Sequence, residues 1–315
     1  MGVGRREHIC SNPRYCAVRQ HTNFGDGFSM KQSTHFPVFL AALGVLLFSL
    51  LDAVMKAQAL AMGTYSAMFW RMAFGVLFAL MLYSPSRVRP ISGEVLRIHI
   101  LRAVITTLMT YLFFFSLTRI PLAQAIGLSF IAPIITLFLA APLLGERIHS
   151  NAKMAAGLGF MGVAVVVGGE LLSLDADSDL LGLSAVLLFA LLYAFYLIVQ
   201  RKHSLMARPI EIVFYQNIMV FALLLVGAPF FVTLPSNAME WGGAAFAAVF
   251  AMGSLALMSM AYRRAEAQKL ISIEYTAFIW AALLGWWFFA EGLTLQTLLG
   301  TGLIVVGCMA NLRRG

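Results

Sequence analysis

Apolar runs of about 18 to 25 residues recur along this chain, each long enough to cross roughly 30 Å of hydrocarbon as a helix rising about 1.5 Å per residue. A backbone inside hydrocarbon finds no water, so it must satisfy its own N–H and C=O groups, which a helix does within each span. Cutting the runs at charges, Pro and Gly gives ten segments, at 36–56, 65–84, 98–118, 121–143, 152–170, 180–200, 210–232, 240–262, 267–289 and 293–311. With 61% hydrophobic and 11% charged residues, the 315-residue chain lacks the polar surface to wrap two soluble cores. The mean hydropathy of +0.86 says the same. The expected fold is all-α and integral to a membrane, with ten transmembrane helices and the lipid bilayer as the main partner.

The charges fix an orientation. With the N-terminus in the cytoplasm, the inner loops collect Arg87, Arg89, Arg97, Arg147, Lys153, Arg201, Lys202, Arg208, Arg263 and Arg264. The outer loops collect Asp175, Asp177, Asp179 and Glu240, with Arg119 the exception. The excess of Lys and Arg on one side predicts both termini in the cytoplasm and a multi-pass protein of the cytoplasmic membrane. The net charge of +8 is largely this signal, and no basic patch interleaved with aromatics suggests a nucleic-acid partner. Residues 1–35 carry four arginines and no apolar run, and are expected to be a disordered cytoplasmic tail; Met30, just before the first span, would serve as well as Met1 for a start. Cys10, Cys16 and Cys308 have neither metal-ligand spacing nor a disulfide framework, so no metal and no cofactor is expected.

The chain repeats itself. Leu143-Leu144-Gly145-Glu146 is echoed by Phe288-Phe289-Ala290-Glu291, 145 positions on. The same ungapped offset pairs Arg119 with Arg264, Lys56 with Arg201, Phe69 with Phe214, Gly157 with Gly302 and Gly162 with Gly307. Residues 36–170 and 181–315 therefore read as tandem five-helix units. Five is odd, so the second unit enters the membrane from the opposite side and the two form an inverted repeat about an axis in the membrane plane. Gly157, Gly159 and Gly162, echoed by Gly300, Gly302 and Gly307, are expected to let helices five and ten pack closely.

Charges within spans cost at least about 2.5 kcal/mol each near the helix centre, so those present are candidates for function. Asp52 in the first span and Arg71 in the second reach similar depths, as a structural ion pair or as the charged outer half of a substrate cavity. Lys56, one turn after Asp52, is expected to snorkel to the outer interface. Glu274, in the ninth span, is a candidate for proton coupling or for a substrate cation; its counterpart is Ser129, so it breaks the internal symmetry. Tyr275 and Trp280 flank it, and Gln216 is the counterpart of Arg71. Glu146 and Glu291 at span ends are expected to be structural.

Two five-span units, each with a short third-to-fourth connection, an apolar fourth span ending in Leu-Gly-Glu or its equivalent and a Gly-rich fifth span, resemble the EamA-type ten-span members of the drug/metabolite transporter superfamily. The marks are Pro133 and Leu143-Leu144-Gly145-Glu146 in the first unit and Phe288-Phe289-Ala290-Glu291 in the second, which has Phe278 for Pro133 and Ala290 for Gly145. The resemblance implies two inverted halves around a central cavity and a small-molecule substrate drawn from amino acids, their derivatives, nucleosides or vitamins. Protons are a candidate coupling ion, and the oligomeric state is left open. An enzyme is not expected: the histidines are scattered in the tail and near cytoplasmic span ends, and no HExxH, GxSxG or phosphate loop is present.

Overall fold

The computed structural model describes residues 35–82, 93–144, 150–172, 179–204, 209–262 and 273–312. The expected tail, Gly145-Glu146 and the Arg201 and Arg264 counterparts lack a full description there: the tail, Gly145-Glu146 and Arg264 lie outside these residues, and only the backbone is described at Arg201. The described helices are α1 (His35–Met62), α2 (Thr64–Leu82), α3 (Gly93–Leu117), α4 (Leu122–Ser129), α5 (Ala132–Leu144), α6 (Ser150–Leu172), α7 (Leu180–Ser204), α8 (Pro209–Phe231), α9 (Ala238–Tyr262), α10 (Ala277–Phe289) and α11 (Leu295–Leu312). No strand occurs among the described residues. Among the described residues, six helices are long and apolar enough to cross a membrane, and four shorter apolar helices fall on the expected fourth, fifth, ninth and tenth spans.

The repeat is exact in the helix bounds: adding 145 to the limits of α3 gives α9, and to those of α5 gives α10. Packing obeys the same exchange. Helix α1 lies on α9 and α7 on α3; α2 meets α9 and α8 meets α3; α5 packs on α7 and α10 on α1. The self-paired contacts are α2 with α8 and α6 with α11. Each half thus buries its helices mainly against the other.

Local chemistry sets several boundaries. Gly63, with φ of +84°, makes the one-residue turn from α1 to α2 that a Cβ would strain. Asn237 and Glu240 cap α9 reciprocally, Oδ1 of Asn237 accepting the Glu240 N–H at 2.9 Å while the Glu240 carboxylate takes N–H donors from Ser236 and Asn237. At the crossing of α6 and α11, a Cβ on Gly300 would sit 2.6 Å from the Gly162 carbonyl oxygen, so glycine is required for this approach. Gly157 and Gly302 face open space, contrary to the expectation that all these glycines serve the same contact.

The fourth and ninth spans are each expected as one helix, and each is broken. The break after α4 falls at Phe130–Ile131 and that before α10 at Tyr275–Thr276, positions related by the repeat. In the first, Pro133 has no N–H for the Ser129 carbonyl, and the chain passes through three-residue turns, Phe130 N–H to Gly127 at 3.3 Å and Ile131 N–H to Leu128 at 3.2 Å. The second has Phe278 in place of proline and still breaks, with Thr276 N–H to Ile273 at 2.9 Å and Phe278 N–H to Tyr275 at 3.3 Å. The two breaks meet: the Phe130 and Tyr275 rings stand edge to face with centroids 5.1 Å apart.

The surface is inverted relative to a soluble protein. Phe230, Trp287 and Met239 are 81%, 78% and 84% exposed, while Asp52, Lys56, Arg71 and Arg102 are 8% exposed or less. Apolar side chains face lipid and the charges lie between helices.

Candidate functional site

The turn at Gly63 and the connections at Arg119–Ile120, Asp179, Thr233 and Glu291 meet at one end of the bundle, called here the distal face. Lys56 is one of its anchors. Helix α1 runs six residues past the expected end at 56, and Lys56 is paired inside the bundle rather than marking a span end. Rather than snorkelling, Lys56 is 5% exposed, donates to the Ile120 carbonyl at 2.9 Å, and forms an ion pair with Oε1 of Glu291.

The other carboxylate oxygen of Glu291 accepts the Leu122 N–H at 2.8 Å. Pro121 offers α4 no side-chain cap, so a carboxylate from the opposite half caps that helix and meets its positive end. Glu291 is aimed by the preceding residue: Ala290 ends α10 in the left-handed region, φ 53° and ψ 30°, and the Glu291 N–H returns to the Gly285 carbonyl at 3.1 Å. That conformation suits glycine, the residue type the sequence has at the equivalent position 145.

A second set of bonds joins α2 to the end of α8. The Tyr65 hydroxyl donates to the Leu224 carbonyl at 2.6 Å and the Ser66 hydroxyl to that of Phe231 at 3.1 Å, while Trp70 Nε1–H donates to Thr233 at 2.9 Å. Arg119, the exception to the charge rule, stacks on Phe115 at 4.8 Å and pairs with Asp179 at 2.7 Å. Partial burial raises the Asp179 carboxyl, but the Arg119 hydrogen bond and charge and the N–H groups of Gly182 and Leu181 outweigh it and hold the group below its usual range. Beside these bonds a cavity of about 610 Å³ opens, walled by Tyr65, Tyr111, Phe115 and Phe231 with Arg119 and Asp179 at its edge.

Asp52 and Arg71 lie deeper. They are 3% and 8% exposed and feel each other's charge. The structural ion pair does not form: among the described residues the contact ion pairs are Lys56–Glu291 and Arg119–Asp179. The Arg71 guanidinium lies 5.8 Å from the Phe114 ring centroid, and its buried Nε has no hydrogen-bond partner.

Glu274 and Tyr275 sit at the second break, partly buried. Tyr275 meets Phe130 as described. Trp280 is half-buried on α10, past the break. Gln216 on α8 donates to the Thr106 hydroxyl of α3 at 3.4 Å. Four of the six expected site residues thus fall in two groups, Asp52 with Arg71 on α1 and α2 and Glu274 with Tyr275 at the break, while Trp280 on α10 and Gln216 on α8 stand apart.

Sequence reasoning misses Arg102. It is 5% exposed on α3, donates to the Tyr196 hydroxyl at 2.6 Å and lies over that ring at 5.0 Å. The signal was a charge inside the run from 98 to 118. His99, expected near a span end, is buried one turn before Arg102, with its ring 5.0 Å from Tyr215. No group of three or more His, Cys, Asp or Glu able to hold a metal occurs among the described residues.

A model described as the EamA-like transporter family matches the chain twice, at residues 35–168 and 180–313, again 145 positions apart. The chain is 27% identical over 276 residues to the pseudopaline exporter CntI of Pseudomonas aeruginosa, covering 87% of this chain and 94% of that protein. It is 24% identical over 284 residues to an uncharacterized transporter of Helicobacter pylori, covering 88% and 94%. A solved crystal structure with 17% identity superposes with a TM-score of 0.60 over 90% of this chain and 97% of that one, a likeness of fold.

Proposed function

Because the chain belongs to the EamA-like transporter family, we propose that it carries a small polar metabolite, of the amino acid, amino-acid derivative, nucleoside or vitamin class, across the cytoplasmic membrane by alternating access. Residues 36–170 and 181–315 are the two moving units, and both termini are cytoplasmic. The observation that carries this reading is the bond set at the distal face. Lys56 to Glu291, Leu122 to Glu291, Tyr65 to Leu224 and Ser66 to Phe231 each join one half to the other, and Arg119 pairs with Asp179 in the connection just ahead of the second half. A face held by bonds between halves closes when the halves approach and opens when they part. Inverted halves give two opposite arrangements of similar energy, as alternating access requires.

Glu274 is the candidate coupling group. It lies partly buried at the helix break, in a half whose partner has serine instead. Likeness to an exporter supports outward movement. The chain carries no nucleotide-binding loop, so a proton gradient or exchange would drive it. Metabolite profiling of cells and medium, with and without the gene, tests the reading without naming the substrate beforehand. One or a few species should accumulate inside cells lacking the gene and fall outside them. Identical profiles in both compartments would overturn it.

A further inference from the structure

Asp52 and Arg71 carry opposite charges into the interior of two packed helices and stop short of each other. Removing two charges from water is repaid only by close pairing and full hydrogen bonding. Here the pairing is at long range, and buried polar groups around it have capacity to spare. Arg71 Nε has no partner, and neither has the buried hydroxyl of Ser49, one turn before Asp52 on the same face of α1.

The neighbouring charge does not fill the gap. Lys56, one turn after Asp52, is committed to Glu291 and the Ile120 carbonyl. The Arg71 Cζ lies 5.8 Å from the Phe114 ring centroid and its Nε is unpartnered, and a guanidinium suits a planar, two-oxygen acceptor.

From this arrangement, and resting on the transporter reading above, we infer that Asp52 and Arg71 hold the two ends of a zwitterionic substrate, its ammonium on the Asp52 carboxylate and its carboxylate on the Arg71 guanidinium. A ligand with one charge would compensate one residue and leave the other buried alone. A zwitterion compensates both and brings no net charge into the membrane. The repeat counterparts of Asp52 and Arg71 are Leu197 and Gln216, so the second half offers no second pair and the ligand's polarity is set by α1 and α2.

Proteoliposomes of the full chain, loaded with the soluble metabolite extract of a bacterial culture, test this, with protein-dependent loss of each species followed by mass spectrometry. The species lost should carry both an ammonium and a carboxylate, and Asp52→Asn and Arg71→Gln should each slow their loss at least about tenfold, as loss of a charged hydrogen bond does. Either neutralisation leaves a charge unmatched, so the double variant Asp52→Asn/Arg71→Gln is measured beside them. It should remain monodisperse in detergent and still fail to move zwitterions. Loss confined to species lacking one of the two groups, or wild-type rates in the double variant, would overturn the zwitterion assignment and leave the transporter reading standing. No protein-dependent loss of any species would remove the transporter reading and the assignment with it.

Discussion

Lys56 of α1, buried, and Glu291 of the α10–α11 connection, partly buried, form an ion pair across the two halves, 235 positions apart in sequence. The same carboxylate caps α4, so three helices converge on one side chain. Removing one member of a buried pair typically costs about 3–5 kcal/mol, because the other is left uncompensated. Glu291→Gln and Lys56→Met should therefore each lower the melting temperature in detergent, and the double variant should lower it by less than the sum of the two. A cycle with no coupling between the two positions would mean that the pair does not hold the face.

Ala290 adopts a left-handed conformation that costs a non-glycine residue roughly 1–2 kcal/mol, while glycine adds about 0.4–1 kcal/mol of unfolded-state entropy. Ala290→Gly should raise the melting temperature slightly. A fall would show that the strain is not there to be relieved.

Tyr65 and Gly227 are matched in shape. A Cβ at Gly227 would lie 2.5 Å from the Tyr65 hydroxyl but 3.1 Å from its ring carbon. Tyr65→Phe should cost about 1 kcal/mol through the bond to Leu224, and Gly227→Ala should cost more alone than in the Tyr65→Phe background. Strict additivity in thermal unfolding would contradict the contact.

The Arg119–Asp179 pair should show itself at acid pH. The folded-state pKa of Asp179 is depressed, so its contribution is present above the unfolded aspartate value, near 3.9, and is lost as pH falls through the folded value. Both side chains are partly exposed, so the contribution should stay under about 1 kcal/mol. The stability difference between wild type and Asp179→Asn should be flat from pH 7 to about pH 5, begin to fall near pH 4 and vanish only below the folded value. A difference that grows on acidification would reverse the sign.

Glu274→Gln should remove the response of transport to an imposed pH gradient in proteoliposomes while leaving melting behaviour near that of wild type. Wild-type rates under the gradient would exclude Glu274 as the coupling group.

The sequence alone determined the class and plan of this protein. Span length and hydropathy are local properties, fixed by the thickness of hydrocarbon and the need of each backbone to satisfy itself, and the 145-residue offset could be read from Glu, Arg and Gly coincidences. It also marked Asp52 and Arg71, because a charge in an apolar run is conspicuous wherever its partner lies. Only the tertiary structure decided who meets whom. Lys56 reads as a span end from its own neighbours and becomes a buried anchor only because Glu291 of the other half reaches it. The meeting of the two helix breaks at Phe130 and Tyr275, and the gap between Asp52 and Arg71, depend on the rotation and crossing of helices. Helix rotation is set by side-chain packing summed over both halves, which no single stretch of sequence contains.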